Sequence, residues 1–363
     1  MAVSAGPAIL SDLPVNLLSL DGGGIRGVSG LFILDEMMKR IQLRENLPNT
    51  PKPCEYFDLI GGTSTGGLIA IMLGRLKMST EEALQSYNKI SSVVFSSENR
   101  KPFYRDGKFK ATTLKEEMQN VVRKAGHSND QKLLDPDAGP NSKGNAYTPS
   151  PPKNIALIPF NSFVCSMTGI NLRSPQRFRT YQGLPNQGPV CKIWEAARAT
   201  TAAPTFFKAI KIAGPGGFGP DYVDAGLGFN NPAKEVRDEA KELFGPNRRI
   251  GALDSIGTGH PGPSGFQQPK GIEKVLPLEL ISVLRRITTD CESVADELAK
   301  EYGSADTYFR FNVLHGAGGI SLDEWMKMSE VMAHTSSYLR GPEVSREIDR
   351  VVACLCSPLP RTK

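Results

Sequence analysis

Apolar runs along this chain repeatedly stop at glycine-rich breaks and resume with helical spacing. Val15–Leu20 (VNLLSL) reads as a buried strand and Asp21–Gly27 (DGGGIRG) as a loop. Leu31, Leu34, Met38 and Ile41 then follow the 3.6-residue period of an amphipathic helix. A second unit repeats this order. Leu59 and Ile60 lead into the small residues Gly61–Gly67, and Leu68, Ile69, Ile71, Met72 and Leu73 follow. Ser79 with Glu82 forms a capping box, which predicts a helix through roughly Val94. Thr112–Ala125 is expected to be helical, and so is Lys192–Ala203, halted by Pro204. Ile155–Ile158, Phe163–Met167, Ile250–Ile256 and Tyr308–Leu314 carry strand patterns. Tyr222–Val223 reads as a strand running into Asp224-Ala225-Gly226. Three later helices are marked by Ile281 to Leu298, Trp325 to Leu339 and Val344 to Leu355. Strands alternating with helices predict an α/β sheet covered on both faces.

Between these elements, Asn99–Lys110 is basic and aromatic. Asn129–Lys153 is rich in Asp, Pro, Gly, Asn, Ser and Lys, and reads as a flexible insert. Composition adds bounds to this picture. With 363 residues, 39% hydrophobic and 22% charged, the chain suits one large domain or two small ones. A net charge of +5 is too weak to argue for nucleic acid but suits an anionic lipid surface. The six cysteines show no zinc-ligand spacing, and those in apolar runs read as buried thiols. No stretch is long and apolar enough to span a membrane, and the first residues lack the pattern of a secretory signal. A cytoplasmic chain that meets lipid only from the surface is therefore expected, rather than a secreted one.

Three motifs carry chemistry. Gly62-Thr63-Ser64-Thr65-Gly66 is a G-x-S-x-G between strand and helix. A sharp turn there pushes a serine oxygen into the open in front of a helix N-terminus. Gly22–Gly27 matches G-x-G-x-x-G. Dinucleotide binding needs an acidic residue about 20 positions on, at the end of the next strand. Here Glu45 falls in a polar connector instead. The alternative is an oxyanion hole from the amides of Gly22, Gly23 and Gly24, with Arg26 adding charge for a substrate phosphate. Asp224-Ala225-Gly226 places an aspartate at a strand end among small residues, where it can enter a cleft as a base for serine. A Ser-His-Asp triad remains open on chain order, with His260 as its best histidine.

Four segments in order, LSLDGGGIRG, DLIGGTSTGG, AARATTAAPTFF and VDAGLGFNNP, resemble the patatin-like phospholipases. DSIGTG and YFRFNV are similar to that family's C-terminal strands, so the resemblance runs from about Pro14 to Leu314. It implies a three-layer α/β/α fold with a mainly parallel central sheet. It also implies a Ser–Asp dyad that uses neither histidine, metal nor cofactor. Carried over by position, Ser64 is the nucleophile, Asp224 the base, and Gly22, Gly23 and Gly24 the oxyanion loop. Ala225 stands where the family most often has glycine.

The expected activity is that of a calcium-independent lipid acyl hydrolase of the phospholipase A2 or lysophospholipase kind. It would act through an acyl-enzyme on lipid at a membrane surface, with Asp224 partly desolvated and its pKa raised. Phe206 and Phe207 are candidates for lining the acyl channel. The rings and cations of Lys101–Lys110 are candidates for touching an anionic interface. The expected organisation is a tail over 1–13, a catalytic domain over 14–314 and C-terminal helices over 315–363 packed on it, with further domains in a longer natural chain. Rival readings are a non-catalytic lipid-sensing module and a Ser-His-Asp esterase or thioesterase.

Overall fold

The computed structural model describes residues 13–102, 106–136, 161–182, 184, 187–259, 291–303, 305–313 and 320–356. Outside them lie the strand expected at Ile155–Ile158, most of the 129–153 insert, His260, and the first part of the helix expected from Ile281. The strands are β1 Val15–Leu20, β2 Leu59–Thr63, β3 Asn161–Thr168, β4 Asn171–Arg179, β5 Ile210–Lys211, β6 Asp221–Asp224, β7 Ile250–Ile256 and β8 Tyr308–Phe311. They form one sheet of order β5-β6-β3-β2-β1-β7-β8, with β4 also paired to β3. The five central strands from β3 to β8 are parallel, whereas β4, β5 and β6 join antiparallel.

Alternation along the strands builds a core on each face. Leu17, Leu59, Phe163, Cys165 and Leu253 point to one side, against α6 (Ala233–Phe244) and Leu298 of a helix over 291–302, here α7. Leu18, Leu20, Ile60, Val164 and Ile256 point to the other. There they meet α1 (Val28–Glu45), α2 (Thr65–Ala70), α3 (Thr80–Val94), α4 (Ala111–Lys124) and α5 (Ile193–Thr200). α8 (Met328–Leu339) and α9 (Pro342–Leu355) join the same side. The result is an α/β fold in three layers. Among the described residues no helix is long and apolar enough to cross a membrane.

One feature of the sheet positions the site. A strand has two hydrogen-bonding edges. β4 takes one edge of β3, so β2 and β6 share the other. β2 pairs with Asn161–Cys165 and ends at Thr63, opposite Cys165. β6 arrives from the opposite direction, pairs with Ser166–Thr168 and ends at Asp224, opposite Ser166. The chain leaving β2 and the end of β6 therefore meet head-on at neighbouring positions of one strand.

Candidate active site

Ser64 follows β2 and precedes α2, at φ 55° and ψ −124°. A side chain rarely tolerates this conformation, and the turn holds it because its neighbours are packed without slack. A Cβ on Gly62 would lie 2.3 Å from the carbonyl oxygen of Gly66, and one on Gly66 would lie 2.2 Å from that of Leu20. Only glycine permits so close an approach. Thr200, the last residue of α5, locks the turn. Its hydroxyl accepts from the Ser64 amide at 2.9 Å and donates to the Cys165 carbonyl at 2.6 Å.

The Ser64 hydroxyl donates to Asp224 Oδ2 at 2.6 Å. The other carboxylate oxygen accepts from the Gly226 amide at 2.7 Å. Asp224 is only 3% exposed, and burial pushes its carboxyl up to about 7, against the pull of the Ser64 and Gly226 donors. Ala225 is fully buried and not at positive φ, so alanine sits there without strain. The serine donates directly to the aspartate, with no imidazole between them. Of the two described histidines, His334 pairs with Glu330 on α8, and neither it nor His127 is bonded to Ser64 or Asp224.

The glycine loop lies against this pair, since a Cβ on Gly22 would lie 2.8 Å from that of Ser64. Its three amides have different fates. Gly22 N–H donates to the Asn230 carbonyl at 3.2 Å and Gly23 N–H to the Thr65 hydroxyl at 3.1 Å. Gly24 N–H has no acceptor among the described residues, and Gly24 sits at φ 56°. The loop is clamped from several sides. The Gly22 carbonyl accepts from Asn230 Nδ2 at 3.0 Å and from Thr258 Oγ1 at 2.9 Å, while Tyr87 donates its hydroxyl to the Gly24 carbonyl. Asp21, at the loop's root, is held by Arg310 Nη2 at 2.7 Å. Arg26 is half-buried beside the loop and has no carboxylate partner among the described residues. Burial lowers its pKa from the ordinary arginine value.

The rim corrects one expectation about the basic loop. Phe109 does not face outward. It is 2% exposed and stacks among Phe95, Phe206 and Phe207. Lys108 pairs with Asp323, and the neighbouring Leu322 carbonyl accepts from Ile25 N–H at 2.9 Å. Phe206 and Phe207 thus belong to an aromatic cluster tied to the basic loop, with the Arg198 guanidinium 5.6 Å from the Phe207 ring centre.

Thr200, Thr65, Asn230, Thr258, Tyr87 and Arg310 all brace the site and were not singled out from the sequence. The hydroxyl-rich ATTAAP after a helix and the Asn pair in GFNNP were the visible signals for Thr200 and Asn230.

Comparison with known proteins shows the family of this chain. The family profile described as Patatin-like phospholipase matches residues 18–237, more than half of the chain. Phospholipase A I of Arabidopsis thaliana is 26% identical over 86% of this chain and 26% of its own length. Calcium-independent phospholipase A2-gamma of Oryctolagus cuniculus is 28% identical over 91% of this chain and 38% of its own length. The cGAMP-activated phospholipase of Vibrio cholerae is 26% identical over 85% of both chains. This chain therefore spans well under half the length of the first two relatives.

Proposed function

The chain belongs to the patatin-like phospholipases, and on that premise we propose that it is a lipid acyl hydrolase working through Ser64 and Asp224. The observation that carries the reading is the 2.6 Å hydrogen bond from the strained Ser64 hydroxyl to a buried aspartate. A carboxylate with an ordinary pKa is a feeble base at neutral pH, but burial brings that of Asp224 to about 7.

In the proposed cycle Asp224 takes the Ser64 proton as the oxygen attacks an ester carbonyl. The carbonyl oxygen becomes an oxyanion facing the glycine loop. Of Gly22, Gly23 and Gly24, the third has an amide with no acceptor among the described residues and is assigned that task, while the first two hold the loop in shape. The Thr65 amide, in the first turn of α2, is a further donor with no partner inside its helix. The protonated Asp224 returns its proton to the leaving alcohol. Water, deprotonated by the same carboxylate, then releases the fatty acid. Arg26, a cation with no carboxylate partner among the described residues, is assigned to the substrate phosphate. The assigned organisation is one catalytic domain over 14–314 with the C-terminal helices packed on it. The site of action is a membrane surface reached from the cytoplasm, and the six free cysteines suit that compartment.

The test is release of fatty acid from mixed phospholipid vesicles without calcium, alongside a soluble short-chain ester. Ser64→Ala and Asp224→Asn should each lose both activities by roughly 10⁴-fold or more. Arg26→Met should raise KM for phospholipid about tenfold and leave the phosphate-free ester unaffected. Full turnover by Ser64→Ala would remove the serine mechanism, and a non-catalytic lipid sensor would then fit better.

A further inference from the structure

Substrate embedded in a bilayer must reach Ser64 through one end of this molecule, and the sheet shows which end. β1 runs into the glycine loop and β2 into Ser64, so the site lies at the C-terminal ends of the parallel strands. β3 overshoots that level, and β6 and β5 are built on the overshoot. Ser166 lies opposite Asp224, and the chain continues to the β3–β4 turn at Ile170. Thr168 pairs with Asn171, so Ile170 sits in a two-residue turn about one residue beyond that pair, and at about 3.3 Å per residue it stands roughly 10 Å at most beyond the catalytic level. Gly169 N–H donates to the Asp221 carbonyl at 2.9 Å, which ties this turn to the root of the β5–β6 turn that carries Phe218.

Five large apolar side chains are exposed among the described residues: Ile170 at 93%, Phe218 at 84%, Met326 at 82%, Leu43 at 80% and Val190 at 63%. Their placement is not random. Ile170 and Phe218 cap the two turns just described. Met326 follows the segment whose Leu322 carbonyl caps the glycine loop. Leu43 lies near the far end of α1, which starts at the glycine loop and runs away from it. Val190 precedes α5, whose last residue braces Ser64. Three of the five therefore crown the catalytic end, and the other two lie at the opposite ends of helices that touch the site.

We propose that the turns carrying Ile170 and Phe218 are the wedges by which this chain seats its catalytic end on a phospholipid bilayer with anionic headgroups. This rests on the function proposed above and adds the surface. The tips stand on separate turns, and the charged residues Lys208, Lys211 and Asp221 are exposed on the strands and loops below them. A protein interface needs a continuous dry core, which this arrangement lacks. A bilayer accepts separate apolar wedges with cations between them at headgroup level. Lys208 and Lys211 have no ion pair among the described residues, and Asp221 is the cross-strand neighbour of Lys211. Glycines at 214, 216, 217 and 219 hold the Phe218 turn without side chains that would prop the ring away from lipid.

The experiment is flotation of the full chain with phosphatidylcholine vesicles containing a minor fraction of phosphatidylserine, and separately turnover of a soluble short-chain ester. The double variant Ile170→Ser/Phe218→Ser should lose vesicle partition at least about tenfold, because each exposed side chain that enters lipid contributes roughly an order of magnitude. It should keep wild-type turnover of the soluble ester, since both positions are solvent-exposed turns. Leu43→Ser/Val190→Ser should float as the wild type does. Equal flotation of wild type and tip variant overturns the proposal, as does equal loss in the control pair, or a wild type that does not float. Ester turnover is read independently. Tip-dependent flotation by a chain that hydrolyses nothing would keep the docking surface and remove the catalytic reading.

Discussion

At the residue scale, the site is governed by two costs that the fold imposes. The first is the burial of Asp224. A protonated carboxylic acid cannot accept the serine proton, so in the proposed mechanism only the ionised fraction is active. Because burial holds the carboxyl at about 7, kcat/KM for a soluble ester should climb with pH through about 7 and level off above it. A rate that is flat from about pH 5 to about pH 9 would show that Asp224 is not the base. The second cost is the backbone at Ser64, with φ 55°. Alanine and glycine at this position both remove the hydroxyl, but only glycine accepts positive φ freely. Ser64→Gly should therefore unfold at a higher denaturant concentration than Ser64→Ala, by about 1 kcal/mol. Equal stabilities of the two inactive variants would mean that the turn stores no strain.

At the element scale, what the sequence disclosed and what it hid have physical causes. β7 and the capped α3 matched the expectation because period and cap chemistry are local. The pair Ser64 and Asp224 was legible because glycines enforced by close approach leave a motif. α6 was missed although Ala233, Val236, Ala240 and Leu243 mark one face, because its mean polarity hides a narrow apolar stripe. β4 was missed because Pro175 and three arginines interrupt its pattern. Two of those arginines, Arg177 and Arg179, are satisfied only in three dimensions, by Glu235 and Glu239 of α6. α5 ends at Thr200, short of the expected Ala203, because its last hydroxyl is committed to β3 and to the Ser64 turn. That commitment is testable. Thr200→Val should lower kcat by about 10²-fold through misplacement of Ser64, whereas Thr200→Ser, which keeps the hydroxyl, should recover most of it.

At the scale of the whole molecule, the question is whether the C-terminal helices are an accessory or part of the fold. β7 and β8 close one side of the sheet, and α9 covers them with Ile348, Val351, Val352 and Leu355, all 7% exposed or less. Burying four such side chains stabilises by about 6–12 kcal/mol, as much as the whole of a typical domain's stability, about 5–15 kcal/mol. Opposed to this is Asp254 of β7. It is fully buried, with neither carboxylate oxygen bonded among the described residues, and burial and Glu347 of α9 hold its pKa well above the ordinary value. The folded chain thus keeps a proton there that the unfolded chain releases above about pH 4. Stability from this group is lost progressively as pH rises from that point toward its folded pKa. Asp254→Leu should therefore raise the melting temperature, and by more at pH about 8 than at pH about 5. A chain ending at Arg340 should show no cooperative unfolding transition by calorimetry, since the lost burial equals the reserve. If that shortened chain melts within a few degrees of the intact one, α9 is a separate unit that only rests on the catalytic fold. The pH-dependent cost of Asp254 would then be a local matter of β7, outside the energetics that hold the molecule together.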